Sequence, residues 1–251
     1  MSLDLEIAVH FRNQFREARA AALRDAEGFQ EVLFVLERFG TYLTKGIQTL
    51  NKYAGEIQKM ALISPLANDI PERYKSWHLP FSKLYELVRE ARNDALHRGA
   101  FARHLTNSAI QLALVLEDAL MSDQNMAGDY MVREPVCASF WQPLSFIRQQ
   151  MLANSFTYLP VLPAGEPSPH WSLISDYRLA QYLREGDRKD RLAKTLKNAV
   201  SDVLVLEQVS TCYSDTPIRE VLEISEGKPV LIVERDQPER LLGILTPFDL
   251  L

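Results

Sequence analysis

The hydrophobic pattern changes its period once, near residue 125, and this change constrains the fold more than any other feature of the chain. Before it, apolar residues recur three and four positions apart, the spacing that lines one face of a helix. "LDLEIAVHFRNQFREARAAALR" (residues 3–24) is the first such stretch. "GFQEVLFVLERFGTYLTKGIQTLNKYAGEIQKMAL" (28–62) is the second, with Phe29, Val32, Leu33, Leu36 and Phe39 on one stripe and Asp25 placed to cap its start. "ISPLANDIPERYKSWHLP" (63–80) carries Pro65, Pro71 and Pro80 and reads as a connecting loop. A third helix is expected from about Pro80 to Arg98, and a fourth from about Phe101 to Met121. Long helices with mostly short connections predict an antiparallel all-α bundle over residues 1–125.

After "SDQNMAGDY" short β-rich runs take over. "EPVCASF", "TYLPVLP" and "WSLIS" form one set around the amphipathic "PLSFIRQQMLAN"; "DVLVLEQV", "PVLIVER" and "LLGILT" form another around "TPIREVLEI". The order strand, helix, strand, strand, helix occurs twice, at about residues 130–184 and 203–251, which is an internal repeat. A Lys/Arg-rich helical stretch, "REGDRKDRLAKTLKNAV", joins the copies. The expected fold class is α+β and multidomain: a helical bundle over 1–125, then a duplicated α/β module over 126–251.

Composition bounds the function. The 251 residues are 47% hydrophobic and 24% charged, as in globular proteins. A net charge of −5 excludes a basic chain that coats nucleic acid, though not a local cationic site for RNA. Cys137 and Cys212 stand at no metal-ligand spacing and are too few for a disulfide framework, so a reducing cytoplasm is expected. Charges from residue 4 onward argue against a signal peptide, and no apolar run approaches the roughly 18 residues that span a bilayer. No metal and no membrane partner are expected.

Two groups of polar residues invite chemistry. The first is Arg92, Asn93 and His97 in "RNDALH". Phe81, Leu84, Tyr85, Val88, Ala95 and Leu96 share a helix face, and Arg92 falls within that apolar stripe. Burying a guanidinium costs several kcal/mol unless a partner waits for it. Asn93 and His97, four apart, lie on a neighbouring face, and Gly99 is expected to end the helix just beyond His97. An ideal helix separates Arg92 from His97 by about 140°, so they converge only at a helix end, at a bend, or across two copies. A second reading also fits: Arg92 pairs with Glu90, Asp94 or an acid elsewhere, and His97 caps the terminus. The second group is Thr246 and Asp249 in "GILTPFDLL". A Thr hydroxyl and an Asp carboxylate at a helix start can bond ribose hydroxyls, or can simply cap the helix. In "SLISDYRL" of the first copy, Ser175 and Arg178 take those places. Arg accepts no hydrogen bond, so that copy is either empty or selects a more anionic ligand.

These motifs carry two resemblances. "DTPIREVL", "PVLIVERD" and "GILTPFDLL" resemble the helix, middle strand and closing strand-helix of CBS domains, and "EPVCASFWQPLSFIRQQMLANSFTYLPVL" resembles a second one. A tandem CBS pair implies an adenine-nucleotide ligand (AMP, ADP or ATP) held by Thr246, Asp249, Ser175 and Arg178. Many such pairs act as dimerisation scaffolds without a ligand. CBS domains usually continue into a longer helix than "FDLL" allows. Arg followed by Asn and then His, in the third long helix of a small α-bundle, resembles the HEPN superfamily signature. That resemblance implies a homodimeric endoribonuclease needing no metal or other cofactor. His97 would move the proton, Arg92 would hold the phosphate, and Asn93 would orient a phosphate oxygen or His97; products would end in 2′,3′-cyclic phosphate. Arg98, Arg103 and His104 would line the RNA path or stand solvated. A subgroup modified on a Tyr two residues after the His is not matched, because Gly99 stands there. The rival expectation is a catalytically inactive, nucleotide-sensing dimeric scaffold.

Overall fold

The computed structural model describes residues 3–25, 28–98, 102–163 and 170–251, and the side chains of residues 91–98 and 102–104 lie outside that description. The chain divides into two compact units, Met1–Gln124 and Asn125–Leu251.

The first unit is helical: α1 (Leu5–Arg24), α2 (Phe29–Thr44), α3 (Leu50–Ala61), α4 (Asp69–Arg73), α5 (Phe81–Arg98) and α6 (Ala102–Met121). Asp4 caps α1 by accepting from the Glu6 N–H at 3.1 Å. Helix α1 packs on α2 and α6, α2 on α3, and α5 on α6. The expected apolar stripes meet in one core containing Phe15, Val32, Leu36, Phe39, Ile57, Leu84 and Leu116. Phe11 and Phe15 both touch Phe39, with ring centroids 4.8 and 5.9 Å away. Each such buried side chain contributes about 1.5–3 kcal/mol.

The single helix expected over 28–62 is two helices. Lys45 closes α2 in the left-handed region (φ 55), and Gly46 N–H reaches back to the Thr41 carbonyl at 3.2 Å. The Tyr53 hydroxyl, from α3, accepts the Gln48 N–H at 2.5 Å and lies 2.8 Å from Thr41 Oγ1. A buried tyrosine therefore satisfies the polar groups that the break exposes, and apolar periodicity cannot register this. Gly28, rather than Asp25, occupies the N-cap of α2; Asp25 is the C-cap of α1. The expected loop 63–80 contains a short 3-10 turn, Pro65–Ala67, and α4. Ser64 accepts from Leu66 N–H at 3.0 Å and donates to Asp118 at 2.6 Å, which fastens the turn to α6.

The second unit comprises α7 (Ala127–Tyr130), β1 (Val132–Arg133), α8 (Leu144–Asn154), β2 (Tyr158–Val161), β3 (Ser172–Ser175) and α9 (Asp176–Arg184). Then come α10 (Arg188–Ala193), α11 (Leu196–Asp202), β4 (Glu207–Gln208), β5 (Ser210–Cys212), α12 (Ile218–Ser225), β6 (Val230–Val233), β7 (Leu241–Leu245) and a closing 3-10 turn, Pro247–Leu250. Two sheets form, ordered β1-β7-β6-β5 and β2-β3-β4. Each is built alike. A parallel partner (β5 on β6; Ala138 bridged to Val161) precedes an antiparallel pair (β6–β7; β2–β3). The far edge is donated by the segment leading into the other copy: β1 pairs with β7, and β4 with β3.

This reciprocal exchange corrects two strand assignments. "EPVCASF" supplies only the Ala138 bridge, and "DVLVLEQV" supplies only β4, which joins the first copy's sheet. The second copy's own first strand is β5. Strands of two or three residues are too short for period-two alternation to appear in the sequence. Trp171, Leu173, Leu231 and Val233, with Tyr158, Tyr213, Leu241 and Ile244 against them, pack the two sheets together.

Candidate functional site

The chain leaves β7 at Thr246, which takes the extended N-cap conformation (φ −111, ψ 159), and Pro247 starts the closing turn. Proline suits this position because its missing N–H would have had no partner there. Asp249, three residues past the cap, turns back. Its Oδ2 accepts from the Thr246 N–H at 2.8 Å and from Thr246 Oγ1 at 2.7 Å. With its proton committed to Asp249, the Thr246 hydroxyl faces any further partner as an acceptor. The carboxylate is thus held in one orientation at the end of a central strand. Beyond β7 lies the edge strand β1, with Val132 opposite Ile244.

The first copy repeats this geometry with different chemistry. Ser175 ends β3, caps α9 (φ −95, ψ 155), and accepts from the Arg178 N–H at 3.2 Å. Ser175 and Arg178 are therefore the structural counterparts of Thr246 and Asp249. In the register, Leu173 faces Glu207 on the exchanged strand β4, as Ile244 faces Val132. Glu207 Oε1 accepts from Ser175 Oγ at 2.5 Å and lies 4.0 Å from Arg178 Nε. Tyr158, opposite Ser175, has its phenol pushed above the ordinary value by burial, with the charges of Glu207 and Asp176 adding to the effect.

Sequence reasoning did not identify Glu207. It reaches the site only through strand exchange, 32 residues along the chain from Ser175. Both cysteines are free thiols, Cys212 buried and Cys137 half-buried: burial lifts Cys137 to about 11 and also raises Cys212. Among the described residues, no group of His, Cys, Asp or Glu is placed to hold a metal ion, and no helix is long and apolar enough to cross a membrane.

Residues 200–251 match the family model described as the CBS domain. This part of the chain is a CBS domain. Thr246 and Asp249 lie at its end. No curated protein matches the sequence. Among solved structures, the chain is similar to a CBS domain-containing protein of unknown function from Bacillus anthracis (18% identity, TM-score 0.40, covering 50% of this chain and 89% of that one). It is also similar to a CBS-domain containing protein from Agrobacterium tumefaciens (16%, 0.38, 50% and 90%). A third is the hexameric CBS-CP12 protein from bloom-forming cyanobacteria (11%, 0.38, 50% and 69%).

Arg92, Asn93 and His97 lie within the backbone of α5, and their side chains fall outside the described residues, as do those of Arg98, Arg103 and His104. Gly99 is also outside them. The stripe leading to Arg92 is buried as expected: Phe81, Leu84, Tyr85 and Val88 all belong to the core. Because the second expected helix is split, α5 is the fourth long helix of the unit and not the third.

Proposed function

We propose that residues 125–251 form a tandem CBS pair that binds an adenine nucleotide (AMP, ADP or ATP) as a regulatory ligand through Thr246 and Asp249. The observation that carries this reading is the fixed Thr246–Asp249 pair at the end of β7, inside a CBS domain. A carboxylate held in this way can accept hydrogen bonds from the hydroxyls of a ribose. The same strand-helix-strand-strand order in residues 130–184, with exchanged edges, supports the first copy as a module of the same kind. Calorimetry with AMP, ADP and ATP tests the assignment: saturable binding of at least one is expected, and binding of none overturns it.

A second reading concerns the helical unit, and α5 favours it. Phe81, Leu84, Tyr85 and Val88 are buried, and Arg92 stands next along the same stripe, one turn beyond Val88. A cation at that position calls for an anionic partner. The output that the CBS pair regulates is metal-independent cleavage of RNA. His97 takes the proton from the attacking 2′-OH or gives one to the leaving 5′-oxygen, Arg92 neutralises charge on the phosphorane, and Asn93 orients a phosphate oxygen or His97. A homodimer brings two copies of the motif together through an isologous interface. Incubation with a mixed RNA pool in EDTA is the test: cleavage leaving 2′,3′-cyclic phosphate supports the reading. No cleavage with or without nucleotide leaves a nucleotide-sensing scaffold instead.

A further inference from the structure

The two copies carry different chemistry at positions that correspond in register. In the second, the acid (Asp249) sits three residues past the cap and the facing edge residue is apolar (Val132). In the first, a base (Arg178) sits three residues past the cap and the facing edge residue is the acid (Glu207). The charge has been moved from the turn to the opposite strand. There it accepts a hydrogen bond from the Ser175 hydroxyl at 2.5 Å and stands 4.0 Å from Arg178 Nε, in a setting where its side chain is 18% exposed.

We infer that the first copy's counterpart of the nucleotide site is filled by the chain's own Glu207 carboxylate, so that the chain takes one nucleotide, in the second copy. The one-nucleotide part rests on the CBS reading above; the occupancy by Glu207 does not. Ser175 and the guanidinium of Arg178 form a small anion subsite. Among the described residues, Arg178 Nε is buried without a hydrogen-bond partner; its Nη1 is 3.3 Å from Gln181 Oε1, and the carboxylate within ion-pair reach of Nε is that of Glu207, at 4.0 Å. A tethered carboxylate competes at the millimolar or higher effective concentration of a short intramolecular link, which a free phosphate group must exceed. A ribose would meet a further obstacle: where Asp249 offers an acceptor, Arg178 offers only donors.

Removing the internal anion should expose the subsite to an external one. The test compares thermal melts of the full chain, Glu207→Ala and Glu207→Gln in inorganic phosphate and in sodium chloride of matched ionic strength. The parent should show only the small, non-saturating rise that phosphate gives a folded protein by exclusion from its surface. The variants should gain a saturable, phosphate-dependent rise of about 3–6 °C, as expected for a ligand well above its Kd. Adding Arg178→Ala should abolish the gain. Equal phosphate stabilisation of the parent, no gain in either variant, or a gain that survives Arg178→Ala overturns the inference. Glu207→Gln keeps the size and an acceptor for Ser175, so the test stands if Glu207→Ala fails to fold. Calorimetric stoichiometry then separates the two proposals. One nucleotide per chain agrees with both, two per chain overturns only the Glu207 occupancy, and none overturns the CBS ligand while the phosphate melts still decide Glu207.

Discussion

Replacing Gly40 by Ala should destabilise the helical unit, although Ala is the better helix former by about 1 kcal/mol. Gly40 lies buried in α2, and a Cβ there would meet Tyr53 Cδ2 at 2.5 Å and Tyr53 Cβ at 2.8 Å, well inside van der Waals contact. The ring has nowhere to retreat: Tyr53 is 1% exposed and its hydroxyl is held by Gln48 N–H at 2.5 Å and by Thr41 Oγ1 at 2.8 Å. Overpacking of this kind costs about 1–3 kcal/mol, and releasing the hydroxyl costs about 1 kcal/mol for each hydrogen bond lost. Set against the helix gain, the net loss is about 1–4 kcal/mol. Urea unfolding followed by circular dichroism measures it. A double-mutant cycle makes the mechanism specific. Tyr53→Ala alone should cost about 3–5 kcal/mol, but in that background Gly40→Ala should become neutral or stabilising by up to about 1 kcal/mol. Equal or greater stability of Gly40→Ala in the parent, or an unchanged penalty without the ring, refutes the packing explanation of the glycine.

Other outcomes follow from the same structure. With the Cys137 thiol at about 11 instead of the ordinary 9.0, the native thiolate fraction at pH 8 falls by roughly 100-fold. Alkylation by iodoacetamide should therefore be slow in buffer and fast in urea, and rapid labelling of the folded chain contradicts the burial. In the RNA assay His97→Ala should lower cleavage by about 10²–10⁴-fold and Arg92→Ala by a similar factor, while Arg103→Ala leaves it unchanged. Cleavage that requires Mg²⁺, or that survives His97→Ala, assigns the chemistry to other residues. Light scattering at micromolar concentration should give the mass of a homodimer; a monomer removes the composite RNA cleft.

What could be read in the sequence is what depends on periodicity and local spacing. The stripe Phe81, Leu84, Tyr85, Val88 appears as a buried face because four positions of one helix suffice to show it. Thr246 and Asp249 could be singled out together because a cap and the residue three beyond it lie one turn apart; the hydrogen bond between them is a finding of the structure. The break between α2 and α3 was hidden because it uses a lysine in the left-handed region and a tyrosine hydroxyl from the next helix, neither of which interrupts the apolar pattern. The exchange of edge strands was hidden for a different reason. Val132–Arg133 and Glu207–Gln208 are two-residue strands whose partners lie in the other copy, so nothing local identifies them. Glu207 is the functional consequence of that blindness: its role follows from register, and register is a property of the assembled sheets.

The measurement closest to the central claim is nucleotide titration of the parent and of Asp249→Ala. The substitution removes the acceptor of the Thr246 N–H and hydroxyl as well as the proposed ribose contact, so a melt must first show that the variant is folded; loss of a cap costs about 0.5–2 kcal/mol. A hydrogen bond to a charged acceptor contributes about 1.5–3 kcal/mol, which corresponds to roughly 10–150-fold in affinity. The account predicts that the parent binds AMP, ADP or ATP and that folded Asp249→Ala binds it weaker by that factor. Undiminished binding by the folded variant contradicts the account.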